Sequence, residues 1–398
     1  MTSSRRRRLA RAGTYGLSGT AALVAAGLGG ASWYYANRLV EPPADLWPPA
    51  PKREDRCKVL ELGDGTLTLT GPGASRPGRW GLIGPNGYAQ VGPVEVSEDH
   101  RETDWVVRDT KILQGMFARD DAAVLDGYAW PRDPSVMGQP AHDLTFDTPL
   151  GPTPAWWFPA TRPSRRHAVG NATWAIFVHG RSARRHEAFR IIPTITRLGV
   201  DCLTIAYRND PDAPRSPDGR SHLGDTEWED LDTAMAWAID RGARRLLLVG
   251  FSMGGAMVVN ALRLSEHADR VAATILEAPV LAWGPVLRWA ARDRGLPAPV
   301  IPLILPTTMA LTRARTGIDW ERLRHIDRPE SFTRPTLLIH GDADETVPVE
   351  LARTLAKLAP DTVEFEEFAG AGHIRNWNAD SVRYEATVRR FIGTHVVR

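Results

Sequence analysis

RLLLVGFSMGGAMVVNAL, residues 245–262, is the stretch on which the fold turns. Arg245–Val249 is a short apolar run of the kind that fills a buried strand. Gly250-Phe251-Ser252-Met253-Gly254 has the form G-x-S-x-G. After it, Ala256, Val259 and Leu262 fall on one helical face. A serine on a sharp strand-to-helix turn is exposed above a sheet with a helix N-terminus beneath it, the context of a nucleophile elbow. The pattern repeats in both directions. Thr173–Val178, Cys202–Ala206, Val271–Leu276, Pro335–His340 and 362–368 read as strands, and 348–359 and 380–393 as helices. Thr226 and Glu229 have capping-box spacing ahead of Trp228, Leu231, Met235 and Ala238. Leu144–Phe146 and Ala155–Phe158 read as a strand pair. Short apolar strands alternating with amphipathic helices predict an α/β fold with a mostly parallel, doubly wound sheet. Residues 281–333 are too long for a plain connection and read as a cap insertion.

A nucleophilic serine needs a base, and the base an orienting acid. Both are available downstream, at the end of the sheet where ligand sites form. Asp344 lies in the loop after Pro335–Ile339, within HGDADETVP (340–348). Asp342 and Glu277 are competing acids. His373 follows strand 362–368 in GAGH (370–373); of the eleven histidines it alone has this loop position after the acid's strand. An oxyanion hole needs two N–H donors. Met253 supplies one, and the loop His179-Gly180-Arg181-Ser182 the other, with Arg181 the first choice and Ser182 the second. His179 reads as an orienting residue of that loop. Tyr207, Trp283 and Trp289 are candidate pocket residues, and Arg181, Arg184 and Arg185 form a local positive cluster.

These four motifs, HGRS at 179–182, GFSMGG at 250–255, HGDADETVP at 340–348 and GAGH at 370–373, occur in order. They resemble the α/β-hydrolase superfamily, in its serine-aminopeptidase-like and dienelactone-hydrolase-like bacterial branch, which includes membrane-anchored members. The resemblance covers residues 142–398. It implies hydrolysis of a carboxylic ester, or of an amide or thioester, through a Ser-His-Asp triad and an acyl-enzyme, with no cofactor. An acyltransferase on the same triad and a non-catalytic binding protein are the competing functions. The expected partner is a small-molecule ester or acyl substrate.

The remainder of the chain divides into a basic N-terminal segment with an apolar run (1–40) and a Pro-rich linker with a β-rich extension (41–140), ahead of the catalytic domain (141–398). Arg5–Arg8 and Arg11 precede a charge-free run, Ala12–Ala36, that ends in Trp33, Tyr34 and Tyr35. At about 1.5 Å per residue, such a helix crosses roughly 30 Å of hydrocarbon. The expectation is a single-pass membrane helix with the catalytic domain outside the cytoplasm. Cleavage as a signal sequence near Gly29–Ala31 and an apolar helix packed on the catalytic domain are the alternatives. In the extension, Lys58–Leu62, Thr66–Thr70, Trp80–Ile83 and Trp105–Val107 read as strands, and no catalytic motif is present. A net charge of +2 argues against a nucleic-acid binder. Two cysteines, Cys57 and Cys202, exclude a disulfide scaffold and a Cys-rich metal site, and leave one bridge open. No His/Asp metal cluster stands out in the sequence.

Overall fold

The computed structural model describes residues 27–42, 44, 52–94, 105–161 and 172–397. Most of the linker, and residues 12–26 of the apolar run, lie outside the described residues. Helix α1 spans residues 27–40. Six strands follow: β1 (Arg56–Leu62), β2 (Thr66–Thr70), β3 (Trp80–Ile83), β4 (Gly87–Val94), β5 (Trp105–Gly115) and β6 (Ala122–Asp126). They close into a barrel in the order β1-β2-β5-β4-β3-β6, completed by the pairing of β1 with β6. Alternation explains the closure: in β2, Leu67 and Leu69 point inward while its threonines stay partly exposed. Val59, Leu82, Ala89, Val91 and Leu125 fill the rest of the lumen. β4 and β6 were not anticipated; Gly92 and Pro93 mask the strand pattern in β4.

Arg108 on β5 is fully buried in this small unit. Its guanidinium donates to the carbonyls of Gly92 (2.7 Å), Ala74 (3.1 Å) and Arg76 (3.0 Å), and also to that of Gly78. Burial pulls its pKa down to about 10. Arg108→Met removes the donors and strands several carbonyls. We expect it to cost about 3–5 kcal/mol in urea unfolding followed by circular dichroism.

The second sheet has eight strands in the order β14-β13-β12-β11-β9-β10-β8-β7. β7 (His142–Thr148), β8 (Gly151–Phe158) and β10 (Asp201–Ile205) form its antiparallel pairings, β7 with β8 and β8 with β10. β9 (Ala172–Val178), β11 (Ala243–Phe251), β12 (Val271–Glu277), β13 (Thr336–Gly341) and β14 (Val363–Phe368) are mutually parallel, and β10 is parallel to β9. Side chains along β11 alternate between two cores. Leu246 and Leu248 face one, and Leu247, Val249 and Phe251 the other. Each fully buried leucine contributes about 2 kcal/mol. Helices cover both faces, as a parallel sheet requires. α3 (Trp228–Asp240), α4 (Met253–Leu264) and α7 (Val349–Leu358) lie on the first core; α2 (Ile192–Thr196) and α9 (Ser381–His395) lie on the second. The cap contributes two helices, α5 (Trp283–Asp293) and α6 (Ile301–Thr316), and the short α8 (Asn376–Ala379) precedes α9.

One expectation needs correction, and the structure bears on two further readings. The capping box does not form: α3 starts at Trp228, and Thr226 Oγ1 has no partner. The neighbouring Glu227 carboxylate instead accepts from His222 N (2.7 Å) and Gly224 N (2.8 Å). Cys57 and Cys202 are both free and buried, one in the barrel and the other in the large sheet. The expected membrane helix, Ala12–Ala36, lies for the most part outside the described residues. No helix among the described residues is long and apolar enough to cross a membrane. Ser32, Ala36 and Val40 of α1, spaced four apart on one face, are buried against the rest of the protein. Ser32 Oγ donates to Ile304 O at 3.3 Å. The guanidinium of Arg315 sits 4.6 Å from the Trp33 ring, and Arg181 Nη2 donates to Arg38 O, Leu39 O and Glu41 O at 2.9–3.2 Å, capping the C-terminal end of α1. Over these residues α1 is an apolar helix packed on the catalytic domain, and Gly29–Ala31 lies within it.

Candidate active site

β11 ends at Phe251 and α4 begins at Met253, so Ser252 is the whole turn. Its backbone is at φ 50°, ψ −113°, a strained conformation for a residue with a side chain. Ladder-like bonds hold it: Ser252 N–H donates to Glu277 O (2.9 Å), and Ser252 O accepts from Val280 N–H (3.0 Å) and Gly255 N–H (3.0 Å). The next turn packs so closely on β9 that a Cβ at Gly254 would collide with Val178 O.

β13 delivers Asp344 and β14 delivers His373 to the same end of the sheet. His373 Nε2 lies 3.0 Å from Ser252 Oγ, and His373 Nδ1 lies 2.8 Å from Asp344 Oδ2. Asp344 Oδ1 accepts from Thr346 N–H (2.7 Å) and Val347 N–H (2.8 Å). Burial alone would raise the carboxyl. Hydrogen bonds and charge from His340 and His373 outweigh that and hold it well below the usual carboxylate range. The two competing acids are engaged elsewhere. Glu277 accepts from Asn376 Nδ2 (2.8 Å) and the Tyr384 hydroxyl (2.7 Å); Asp342 accepts from Gly370 N–H (2.6 Å).

The loop after β9 approaches Ser252 from the other side. Gly180 N–H is taken by Glu187 Oε2 at 2.8 Å. Among the described residues, the N–H groups of Met253 and Arg181 have no acceptor. His179 is a bracing residue: Nε2 lies 2.8 Å from Asp210 Oδ2 and Nδ1 2.9 Å from Gly180 O. Tyr207 does not line the pocket. It is buried behind the loop, its ring stacked on His179 at 4.4 Å and its hydroxyl donating to Gly180 O at 3.2 Å. The arginine cluster is also dispersed. Arg181 caps α1, Arg184 lies 3.6 Å from Asp210 and Arg185 pairs with Asp212.

Above the serine opens a cavity of about 610 Å³, within the range of small-molecule sites. Trp283, Val286, Leu287, Ile301 and Ile304 of the cap form one wall, and Tyr34, Tyr35 and Leu39 of α1 another. Trp283 is placed as expected, its indole N–H fixed to Leu223 O at 3.0 Å. Trp289 is not: it is 38% exposed and ties the cap to Glu345 O (3.0 Å) outside the cavity. Sequence reading missed four participants. They are α1 itself, Glu187, Glu345, which accepts from His373 N–H at 3.1 Å, and His340, whose Nε2 lies 3.0 Å from Asp344 Oδ2. His340 stood in the quoted HGDADETVP motif at a strand end, which is the one signal that marked it.

The model of the alpha/beta hydrolase family matches residues 175–389. The chain belongs to that family. This hydrolase is 26% identical over 303 residues to Esterase LipC of Mycobacterium tuberculosis, a match spanning 66% of this chain and 68% of that protein. Among solved structures it is similar to the Pyrococcus furiosus esterase Pf2001, at 18% identity and a TM-score of 0.52 over 67% of this chain and 95% of the other. A second crystal form of that esterase gives a TM-score of 0.50 over 67% and 97%. These structures share the fold with the hydrolase. The barrel matches a second model, described as a domain of unknown function (DUF8805), over residues 58–124. The chain is therefore an enzyme of the α/β-hydrolase type with a barrel ahead of its catalytic domain.

Proposed function

We propose that this hydrolase is a serine esterase for small-molecule carboxylic esters with an apolar acyl part. The observation that carries the reading is the unbroken series Ser252–His373–Asp344, at 3.0 and 2.8 Å, beneath an apolar cavity. His373 Nε2 takes the Ser252 proton as Oγ attacks the ester carbonyl. The oxyanion is held by the N–H groups of Met253 and Arg181. His373 then protonates the departing alkoxide. A water, deprotonated by the same imidazole, releases the acid from the acyl-enzyme. Asp344 keeps Nδ1 protonated and stabilises the charged ring. Esters precede amides as substrates because alkoxide is the better leaving group. The relatives named esterases favour the same class.

The test is a fluorophosphonate probe on the full chain, beside Ser252→Ala and His373→Ala. We expect labelling of the wild type and none of either variant, followed by turnover of p-nitrophenyl esters that rises with acyl length until the cavity is filled. A folded wild type that takes no label sinks the esterase reading.

We further propose that the hydrolase acts outside the cytoplasm, with the charge-free stretch 12–26 behind Arg5–Arg8 as the exporting element. Protease added to intact cells is expected to degrade the catalytic domain. Full protection would mean that the domain stays inside.

A further inference from the structure

The barrel grips the segment that carries His373. That segment starts with Gly370-Ala371-Gly372, where Ala371 is buried in the second core and Gly370 N–H and His373 N–H are held by the Asp342 and Glu345 carboxylates. Just past the histidine, Ile374 is held at φ 52°, a conformation that a β-branched residue keeps only when its surroundings enforce it. Part of the enforcement comes from within the catalytic domain. Buried Arg190 donates from Nη1 to Ile374 O (2.8 Å) and from Nε to Glu187 O (3.1 Å), and Glu187 in turn holds Gly180 N–H. One arginine thus spans the loop under Ser252 and the loop of His373.

The other part comes from the barrel. Arg79 N–H, at the entry to β3, donates to Asn378 O at 2.8 Å, and buried Asn378 returns a bond from Nδ2 to Arg79 O at 2.9 Å. The two backbones meet so closely that a Cβ on Gly78, which is at φ 91°, would strike Asn378 O. At the exit of β6, a Cβ on Gly127 would strike the Arg375 guanidinium, which also lies 5.9 Å from the Tyr128 ring. Trp130 packs on Trp377 at 4.9 Å. All these contacts fall within five residues after His373.

We propose that the barrel is a positioning domain: it braces residues 374–378 and thereby sets the approach of His373 to Ser252. The inference rests on the triad reading above. It gives the unassigned domain a task that needs no ligand of its own. Arg79 and Asn378 act here as positioning residues, because they reach the chemistry only through the loop. A displacement of about 1 Å at a base costs up to a hundredfold in rate.

The experiment uses the full chain as wild type, Gly78→Val, Arg375→Ala and Leu69→Ala. The last weakens the barrel core without touching the contact. Three quantities are read: the fluorophosphonate labelling rate, kcat and KM on one p-nitrophenyl ester, and deuterium uptake of residues 370–379. We expect Gly78→Val and Arg375→Ala to slow labelling and kcat about tenfold, with KM within a factor of two and faster uptake in the loop. Leu69→Ala is expected to label at the wild-type rate. Unchanged labelling in both contact variants overturns the proposal, and so does equal slowing by Leu69→Ala. Because Arg375 also donates to Ile374 O within the loop, a Gly78→Val that does not fold is replaced by Asn378→Ala, which removes the bond to Arg79 O and then decides. If the wild type takes no label, the esterase reading fails separately; uptake of 370–379 in the contact variants still decides the bracing, unchanged uptake counting against it.

Discussion

Ser252→Ala is expected to lower kcat about a million-fold while leaving the fold and KM nearly unchanged. The side chain supplies the attacking atom, and nothing else at the end of β11 replaces it. The fold survives because the turn is held by backbone bonds, from Ser252 N–H to Glu277 O and from Val280 N–H to Ser252 O, which alanine retains. Alanine at φ 50° inherits the same backbone strain, so the melting temperature should move by only a few degrees. Because the triad works as a unit, Ser252→Ala combined with His373→Ala should cost little more than Ser252→Ala alone. Steady-state kinetics with a chromogenic ester checks both statements. Turnover within tenfold of the wild type would show that another group attacks.

Asp344→Asn carries the second large effect, about ten-thousand-fold in kcat. The hydrogen-bond pattern explains why an isosteric change does so much. Oδ1 accepts from two backbone N–H groups, Thr346 and Val347, so the asparagine must keep its oxygen on that side. Its NH₂ group then faces His373 Nδ1. The imidazole is forced to accept there and to carry its proton on Nε2, toward Ser252, where a base must be unprotonated. His340 Nε2, 3.0 Å from the same carboxylate oxygen, keeps only Val347 O, also at 3.0 Å, as an acceptor. Stability should respond to pH with a definite sign. The folded-state pKa of Asp344 lies below its ordinary value, so its stabilisation is present above about pH 4 and fades as pH falls below that. The variant lacks this contribution, and its unfolding free energy should be flatter across the acid range. A single-turnover assay and an acid titration of stability measure the two effects.

The Ser252–His373–Asp344 arrangement was legible because each of the three stands in a short loop after a strand, within three residues of a glycine, a pattern that local sequence expresses. Distance in the chain did not hide it, since parallel strands bring their C-terminal ends together by rule. What stayed hidden depended on partners that the sequence does not announce. Residues 27–36 are mostly glycine, alanine and aromatics, which suit a bilayer-like run as well as a packed helix; the burial of Ser32, Ala36 and Val40 on one face shows the packed helix over 27–40. The cap's prolines at 297, 299, 302 and 306 concealed α6, which carries Pro306 in its interior. Tyr207 was assigned to the cavity by its place at a strand end, and Trp289 by its place in the cap. The indole N–H and the phenol hydroxyl instead found carbonyl acceptors in neighbouring loops. The mutual grip between Arg79 and Asn378 joins residues nearly three hundred positions apart and leaves no local trace.

The place of α1 bears on how the enzyme is handled. A recombinant form started at residue 41, the obvious cut for discarding a hydrophobic leader, would begin just after Tyr34, Tyr35 and Leu39 and lose that side of the substrate chamber. It would also leave the Arg181 guanidinium without the carbonyls of Arg38 and Leu39 that anchor it. Such a preparation would fold and take a small probe, yet misreport acyl-length preference, because the binding cleft would stand open along one flank. Trimming that stops before residue 27 keeps the chamber whole.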